Sequence, residues 1–500
     1  MSHSPPSSPS QVLILGAGPA GLTAAYELSK HGVSSTVLEK DSTVGGISRT
    51  AEYKGYLFDI GGHRFFTKVA AVERMWREVL SQDFLSRPRL SRIFYQRKFF
   101  QYPLQPMNAL FGLGLVESAR CALSCLWARL SPIRPETSFE AWVSNRFGRR
   151  LFKIFFESYT EKVWGIPCKK ISAEWAAQRI KGLSLFSLVK NSLLPSKSGT
   201  SIKTLIHEFH YPRKGPGMMW QRTRELVEQS GGAVHLDSQV EKIFWTPGRV
   251  TAVQAAGRRF PADYFISSLP IRELIQKLDP PAPPALRAAA ADFNYRDFLT
   301  VALIVNKPDL FPDNWIYIHE PGVKVGRIQN FKNWSPEMVP DPETSCLGLE
   351  YFCFEGDGLW NMSDADLVSL GRAELASLGL ARAEDIVDGC VVRMTKAYPV
   401  YDEHYLRGIA ALQAFLAETP NLQVAGRNGM HRYNNQDHSM LTAMLAARNI
   451  MADLRGAGPR YDLWKVNADD EYHEGTAPPG DDDFTGLEST QPLVPTVLNR

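Results

Sequence analysis

The chain has little of what builds an unusual fold. Its 500 residues hold only six cysteines, none paired as C-x-x-C and none spaced with histidines for a metal. Neither a disulfide scaffold nor a zinc site is expected, and the six read as reduced, mostly buried thiols. Net charge is also scarce: 56 Lys and Arg against 53 Asp and Glu leave +3, which gives no overall reason to expect nucleic acid. A bilayer-length apolar run is missing. The longest candidate, residues 109–130, is interrupted by Glu117, Arg120 and Arg129, and fits an amphipathic or buried helix better than a membrane span. The first ten residues are rich in Ser and Pro, with no basic start and no apolar core. No secretory signal is read there, and a cytoplasmic chain is expected. No internal repeat is visible.

What is present is a globular composition, 44% hydrophobic and 22% charged, over a length that suits two or three domains. The organising stretch is residues 11–68. Val12, Leu13, Ile14 and Leu15 form a short apolar run ending on Gly16, the pattern of a buried parallel strand. Gly16, Gly18 and Gly21 then spell G-x-G-x-x-G, and Ala24, Ala25 and Leu28 continue as a helix. The first glycine permits the tight turn, the second lets the backbone approach a pyrophosphate, and the third lets helix and strand pack closely. The helix N-terminus then offers its free N–H groups to the phosphates. A second strand at 35–38 ends at Glu39, whose carboxylate suits two ribose hydroxyls and repels a 2′-phosphate. Val44-Gly45-Gly46 and Ser48-Arg49 follow; a second glycine pair closing on a pyrophosphate favours a permanently held FAD over NAD. The stretch closes with Phe58-Asp59-Ile60-Gly61-Gly62-His63, where paired glycines let the backbone approach a flat ring beside His63.

Further along, residues 69–80 show helical spacing, with Val72, Met75, Trp76 and Leu80 on one side, and 92–102 alternate as a strand does. Helices dominate 106–198. There Phe139, Trp142, Val143, Phe147, Leu151, Ile154 and Phe155 fall on one face of a long helix with Ser138 as its N-cap. The layout expected is α/β: a discontinuous Rossmann-like FAD-binding domain (11–68, 205–270 and 420–455), an inserted helical domain (106–200), and a mixed antiparallel-sheet substrate domain (69–105 and 280–419). A disordered tail at 1–10 and an acidic flexible tail at 456–500 flank them. Residues 87–153 hold 12 Lys and Arg but 3 Asp and Glu. An anionic substrate, an anionic membrane or a solvated face would each explain that excess.

Several motifs resemble those of the UDP-galactopyranose mutases, within the superfamily of FAD-binding amine oxidases, protoporphyrinogen oxidases and desaturases. DIGGHRFF resembles the mutase histidine loop, and RIFYQRKFFQYPLQ a strand pair ending in a Tyr-Pro-x-Gln that cradles uracil. KVWGIP resembles the mutase Lys-Val-Trp-x-x-Pro segment, residues 209–220 a flavin-side glycine loop, and GRNGMHRYNNQDHS the last flavin segment of the eukaryotic enzymes.

The resemblance implies a pyranose–furanose ring contraction without net redox change, an isomerase step of polysaccharide biosynthesis. Reduced flavin N5 attacks the anomeric carbon of a nucleotide sugar and the nucleoside diphosphate leaves; the N5–sugar adduct opens to an iminium and recloses as a furanose, and the returning nucleotide displaces N5. Catalytic roles then fall to His63 near N5, and to Arg179 and Arg327 on the diphosphate, because an Arg fork suits phosphate oxygens. Tyr102 and Gln105 would face the base, and Trp164, Tyr317, Tyr398 and Tyr433 the phosphates or the sugar. Cofactor contacts would come from Gly16, Gly18, Pro19, Ala20, Gly21, Glu39, Lys40, Gly46, Ser48, Gly61, Gly62, His63, Val240, Gly426, Arg427, Asn435, Gln436 and Ser439, with no metal. The implied partners are a nucleotide-diphosphate sugar, an external reductant such as NADPH and, for assembly, further copies in a homo-oligomer; no nucleic acid is implied. Arg64, Leu104, Pro106 and Thr160 depart from the mutase pattern; such changes would retune the nucleotide or the sugar, or end the mutase activity. The alternative is an FAD-dependent oxidoreductase of amine oxidase, protoporphyrinogen oxidase or desaturase type. Its supports are the superfamily fingerprint and the apolar 109–130 region, which suit an apolar substrate.

Overall fold

The computed structural model describes residues 12–102, 104–171, 173, 208–401, 405–458 and 461–466. Arg179, residues 1–10 and the acidic run at 469–483 lie outside the described residues.

Strand β1 (Val12–Leu15) lies between two parallel neighbours, β2 (Ser35–Leu38) and the Tyr264–Ser267 strand. Ala233–His235 extends the sheet beyond β2, and Leu422–Val424 closes the other edge. All four β1 residues are buried, as a parallel strand covered on both faces requires. Helix α1 (Pro19–Lys30) packs along the last long helix, Gln436–Leu454, and beside Gly217–Gln229.

A second, seven-stranded sheet carries the other half of the molecule. Tyr295–Val305 runs antiparallel between Ile386–Pro399 and Ser345–Cys353. Arg327–Asn330, Trp315–Ile318, Ser91–Tyr95 and Lys98–Gln101 follow outward, all antiparallel except Trp315–Ile318 with Ser91–Tyr95. Period-two alternation divides its side chains. Leu299, Val301, Leu303, Ile328, Leu349 and Tyr351 form one cluster with Leu367 and Leu375 of helix Asp364–Leu378. The opposite face carries Phe298, Glu350 and Gln329 up to the Gly61–Gly62 turn. Cross-strand register sets Tyr317 opposite Arg327, Arg327 opposite Glu350, and Glu350 opposite Thr300, so these four share that face.

The structure departs from the sequence reading in several places. The long helix at 139–155 is broken: Phe139–Phe147 ends at Gly148 (φ +84), Arg149–Phe152 restarts, and a wider turn at Lys153–Glu157 leads into Ser158–Trp164. A Cβ at Gly148 would stand 2.6 Å from Cys125 N, so the break is where two helices cross. Ser138 caps as expected, accepting from Ala141 N at 3.2 Å. Helix Ala70–Leu80, expected with the sheet, instead buries Val72, Met75 and Trp76 in the core beneath the parallel sheet. Leu286, Leu412 and Phe415 join that same core from the 280–419 stretch. Periodicity shows that a face is buried, but not against which partner. Residues 461–466, expected in a flexible tail, bury Leu463 and Val466, and Tyr461 N donates to Asn449 Oδ1 at 2.9 Å. The 109–130 region is two helices, Pro106–Leu113 and Leu115–Leu130, parted by Gly114 (φ +83). Among the described residues no helix is long and apolar enough to cross a membrane. All six cysteines are free thiols.

Gly148 needs both a positive φ and close helix contact. Gly148→Ala is therefore expected to destabilise the protein by about 1–3 kcal/mol, read as a lower thermal midpoint. An unchanged midpoint would mean that the crossing tolerates a methyl group.

Candidate active site

The N-terminus of α1 is open. Gly18 stands at its N-cap with no side chain accepting from the first turn, and Pro19 fills the first position, an arrangement that receives a phosphate. A Cβ on Gly21 would lie 1.8 Å from Gly16 O, and one on Gly46 3.3 Å from Gly18 Cα. Gly45 N donates to Ala17 O at 2.9 Å. Two glycine turns thus meet at the helix end, and any side chain there would fill the cradle. Glu39 is buried at the end of β2. Its Oε2 accepts from Ala17 N at 2.6 Å and its Oε1 from Asp41 N at 3.0 Å, which leaves lone pairs for ribose hydroxyls. Burial raises its pKa against the pull of those two donors. Ser238 N donates to Glu39 O at 2.7 Å, and Val240 is buried two residues on, at the same end of the sheet. The Lys40 side chain is exposed beside it.

The final chain segment closes this cradle. Gly426 (φ +84) brings its loop so near α1 that a Cβ would lie 2.9 Å from the Ala20 Cβ. Asn435 and His438 cap the last helix reciprocally. Gln436 Nε2 donates to Ser48 Oγ at 2.8 Å, and Trp220 Nε1 donates to the same oxygen at 3.1 Å. Ser48 therefore joins three distant segments. Gln436 Oε1 is buried without a partner among the described residues. An open helix end, a glycine cradle, an acceptor carboxylate and an unpaired amide oxygen together fit a dinucleotide. Two expected contacts are committed elsewhere. Ser439 Oγ donates to Asn435 O at 3.0 Å. Arg427 donates to Asn434 O at 2.8 Å and Ala397 O at 2.9 Å, and its guanidinium lies 5.2 and 5.3 Å from the ring centres of Tyr398 and Tyr433.

Past the Gly61–Gly62 turn lies the candidate substrate cleft. A Cβ on Gly62 would stand 2.8 Å from Gln329 Nε2, and one on Gly61 3.9 Å from Glu350 Oε1. Glu350 is fully buried. It accepts from Arg327 Nε at 2.6 Å, Arg327 Nη2 at 2.5 Å and Gln329 Nε2 at 2.7 Å. Arg327 is 17% exposed, so the pair turns its cationic end to the cleft. Aromatic rings surround it: Tyr317 lies 4.7 Å from Tyr102 and 5.5 Å from Tyr159, Tyr398 stacks on Tyr433 at 5.6 Å, and Trp164 is 6.4 Å from Tyr433. Tyr102 is 42% exposed and Gln105 is the exposed N-cap of the next helix, so both mark the rim. His63 Nε2 meets Ile60 O at 3.0 Å. Desolvation lowers its pKa to about 4, and Arg427 and Arg327 add to that against the Ile60 contact, which makes it a neutral imidazole at pH 7.

Sequence reasoning missed several members. Glu350 had one signal, a lone carboxylate in the apolar strand SCLGLEYFC. Tyr159 stacks flat on His319 at 4.9 Å. Its helix is pinned by Lys162, whose Nζ donates to Ile318 O, Glu320 O and Val325 O, and by buried Arg296, which donates to the helix-end carbonyls of Lys162 and Val163 and to Phe352 O. Arg64 and Arg89 lie 5.8 and 5.6 Å from the Trp315 ring, and Arg89 lies 6.0 Å from Tyr102. The unusual Arg64 thus shares the Trp315 ring with Arg89, which in turn neighbours Tyr102.

A glycine-lined dinucleotide cradle set against an arginine-centred cleft on an antiparallel sheet defines a flavoenzyme. The chain belongs to the family of flavin containing amine oxidoreductases, which it matches over residues 19–451, and its cofactor is FAD. In fold it is similar to a reduced UDP-galactopyranose mutase, with TM-score 0.77 and 23% identity over 89% of this chain and 96% of that one. It is also similar to a putative protoporphyrinogen oxidase from Exiguobacterium sp. 255-15, with TM-score 0.67 and 17% identity over 89% and 99% of the two chains. By sequence it is 47% identical to an L-amino-acid oxidase of Crotalus adamanteus over 62 residues, 12% of each chain. It is 31% identical to a 4,4'-diapophytoene desaturase of Methylomonas sp over 264 residues, 49% of this chain and 50% of that one. The Crotalus enzymes are thus matched over 12–14% of their length.

Two outcomes are expected. Glu350→Gln strands a buried guanidinium and should lower stability by about 3–5 kcal/mol, whereas Arg327→Met with Glu350→Met should recover much of that loss; denaturant midpoints of the three proteins measure both. His63 carries a folded pKa near 4, below its unfolded value of about 6.5. The unfolded chain therefore gains the proton first, and stability falls as pH drops through the window from about 6.5 to 4, by at most ~1.4 kcal/mol per pH unit. His63→Asn should flatten that part of the profile of the flavin-free protein, and identical slopes in the two proteins would contradict it.

Proposed function

We propose that the protein is a nucleotide-sugar mutase that interconverts the pyranose and furanose forms of a nucleoside-diphosphate sugar while its FAD is reduced. The observation that carries this reading is the composition of the cleft: an arginine clamped by a buried carboxylate, ringed by hydroxyl-bearing aromatics. Such a cleft suits an anionic polyol better than a hydrocarbon. The fold likeness to a reduced UDP-galactopyranose mutase supports it. Reduced FAD, when bound, supplies the nucleophile for the anomeric carbon. Arg327 holds the diphosphate as it leaves and returns. Glu350 fixes that guanidinium beforehand, so little reorganisation accompanies the charge change. Tyr159, Tyr317, Tyr398 and Tyr433 orient the phosphates and sugar, Tyr102 and Gln105 receive the base at the rim, and Trp164 backs Tyr433. Neutral His63 holds its loop to Ile60 O beside the ring without adding positive charge. Arg179 is retained as a second diphosphate cation, and a nicotinamide dinucleotide such as NADPH as the source of the electrons.

The second reading is an oxidoreductase acting on an apolar substrate. It draws on the sequence relatives, which are oxidases and desaturases. Anaerobic titration of the dithionite-reduced protein with UDP-galactopyranose, UDP-galactofuranose and other nucleotide sugars separates the two. The mutase reading expects ring interconversion only with reduced flavin and no electrons consumed, with kcat/KM lowered about 10²-fold in Arg327→Lys. Bleaching of oxidised flavin by an apolar substrate, with no turnover of any nucleotide sugar, would establish the oxidoreductase instead.

A further inference from the structure

Helix Leu115–Leu130 buries only Cys121 and Cys125, against the helices Phe139–Phe147 and Arg149–Phe152. Its opposite face is apolar and bare. Leu115, Val116, Leu123, Leu126, Trp127 and Leu130 are 57–82% exposed, and at about 100° per residue they share a single arc. Arg120 and Arg129 border the two edges of that arc. Phe111, 74% exposed on the preceding helix, continues the patch. Nine of the thirteen exposed large hydrophobics among the described residues fall between Met107 and Ile133, so this is a concentrated surface and not scattered exposure. The surroundings are basic. Residues 104–153 hold seven Lys and Arg against three Asp and Glu. All three carboxylates are already ion-paired, Glu117 with both Arg150 and Arg120, Glu136 with Arg146 and Glu140 with Arg149, so the excess of basic groups stays net positive.

We infer that this face docks on an anionic lipid bilayer, with the helix lying in the plane of the interface. The apolar arc enters the boundary between headgroups and acyl chains, and the bordering arginines meet lipid phosphates. The helix has 16 residues, about 24 Å, and lies on the membrane without crossing it. A second copy of the chain fits less well. Two-fold contact would set this basic margin against its own image, with no acidic surface to meet it. Docking also aims the rim, because Gln105 is the N-cap of the adjoining Pro106–Leu113 helix.

The test uses the full-length FAD-loaded protein in flotation with phosphatidylcholine vesicles, with and without phosphatidylglycerol, at low and high salt. The protein should float with the anionic vesicles, more weakly with neutral ones, and less at high salt. Leu123→Glu with Trp127→Glu should lower the bound fraction about tenfold while flavin absorbance is retained, and Arg120→Glu with Arg129→Glu should remove the preference for anionic lipid. On the unaltered protein, brominated anionic lipid should quench tryptophan fluorescence, a readout that stands even if a variant misfolds. Failure of the unaltered protein to float or be quenched would overturn the inference. So would equal flotation of a flavin-loaded apolar-face variant, or light scattering that shows a dimer dispersed by Leu123→Glu with Trp127→Glu and no lipid binding.

Discussion

The buried pair between Glu350 and Arg327 is the constraint around which the two halves of the molecule are fitted. An ion pair taken out of water is tolerated only when its remaining valences are met. Glu350 meets this condition by accepting from Nε and Nη2 of Arg327 and from Nε2 of Gln329. The pair lies across adjacent strands in register and directly under the Gly61–Gly62 turn, so that turn and the cation share one foundation. A second carboxylate braces the same hairpin from the far side. Glu374, on helix Asp364–Leu378, accepts from Lys324 N, Val325 N and the Tyr351 hydroxyl. Arg327 is held from both faces of its sheet.

The aromatic wall is fixed by comparable means. Lys162 and Arg296 join the Ser158–Trp164 helix to the sheet through backbone carbonyls, so Tyr159 and Trp164 are placed by rigid elements and not by loops. Burial lowers the pKa of Lys162 to about 8, because that ammonium is withdrawn from water. The tyrosines of the cleft thus come from one helix, one sheet and the Gly426 loop, and meet because each of those is anchored separately.

What was legible in the sequence was local. Gly16, Gly18, Gly21, Glu39 and the Gly61–Gly62 pair could be read because each follows from backbone geometry within a few residues. Ser138 as a cap was legible for the same reason. Glu350 and Arg296 were not, because a charge inside an apolar strand gains meaning only from the neighbouring strand or helix end that receives it. The break at Gly148 was hidden because apolar spacing continues through it, while its cause is a crossing helix more than twenty residues earlier. Helix Ala70–Leu80 was assigned to the wrong neighbour since amphipathicity is silent about partners. Arg427 was read as a cofactor contact from its motif, and its hydrogen bonds go to the carbonyl of Asn434 in the following loop and to that of Ala397 on strand Ile386–Pro399.

The hydrogen bond from Gln436 to Ser48 spans 388 residues of chain. At ribosomal rates that interval takes roughly 20–80 s to synthesise. During that time the β1–α1 unit and its glycine turns exist without the helix that closes over them. Closure of the cradle by that helix therefore waits on the synthesis of Gln436, and a chain halted before the Gly426 loop has the cradle without the clasp.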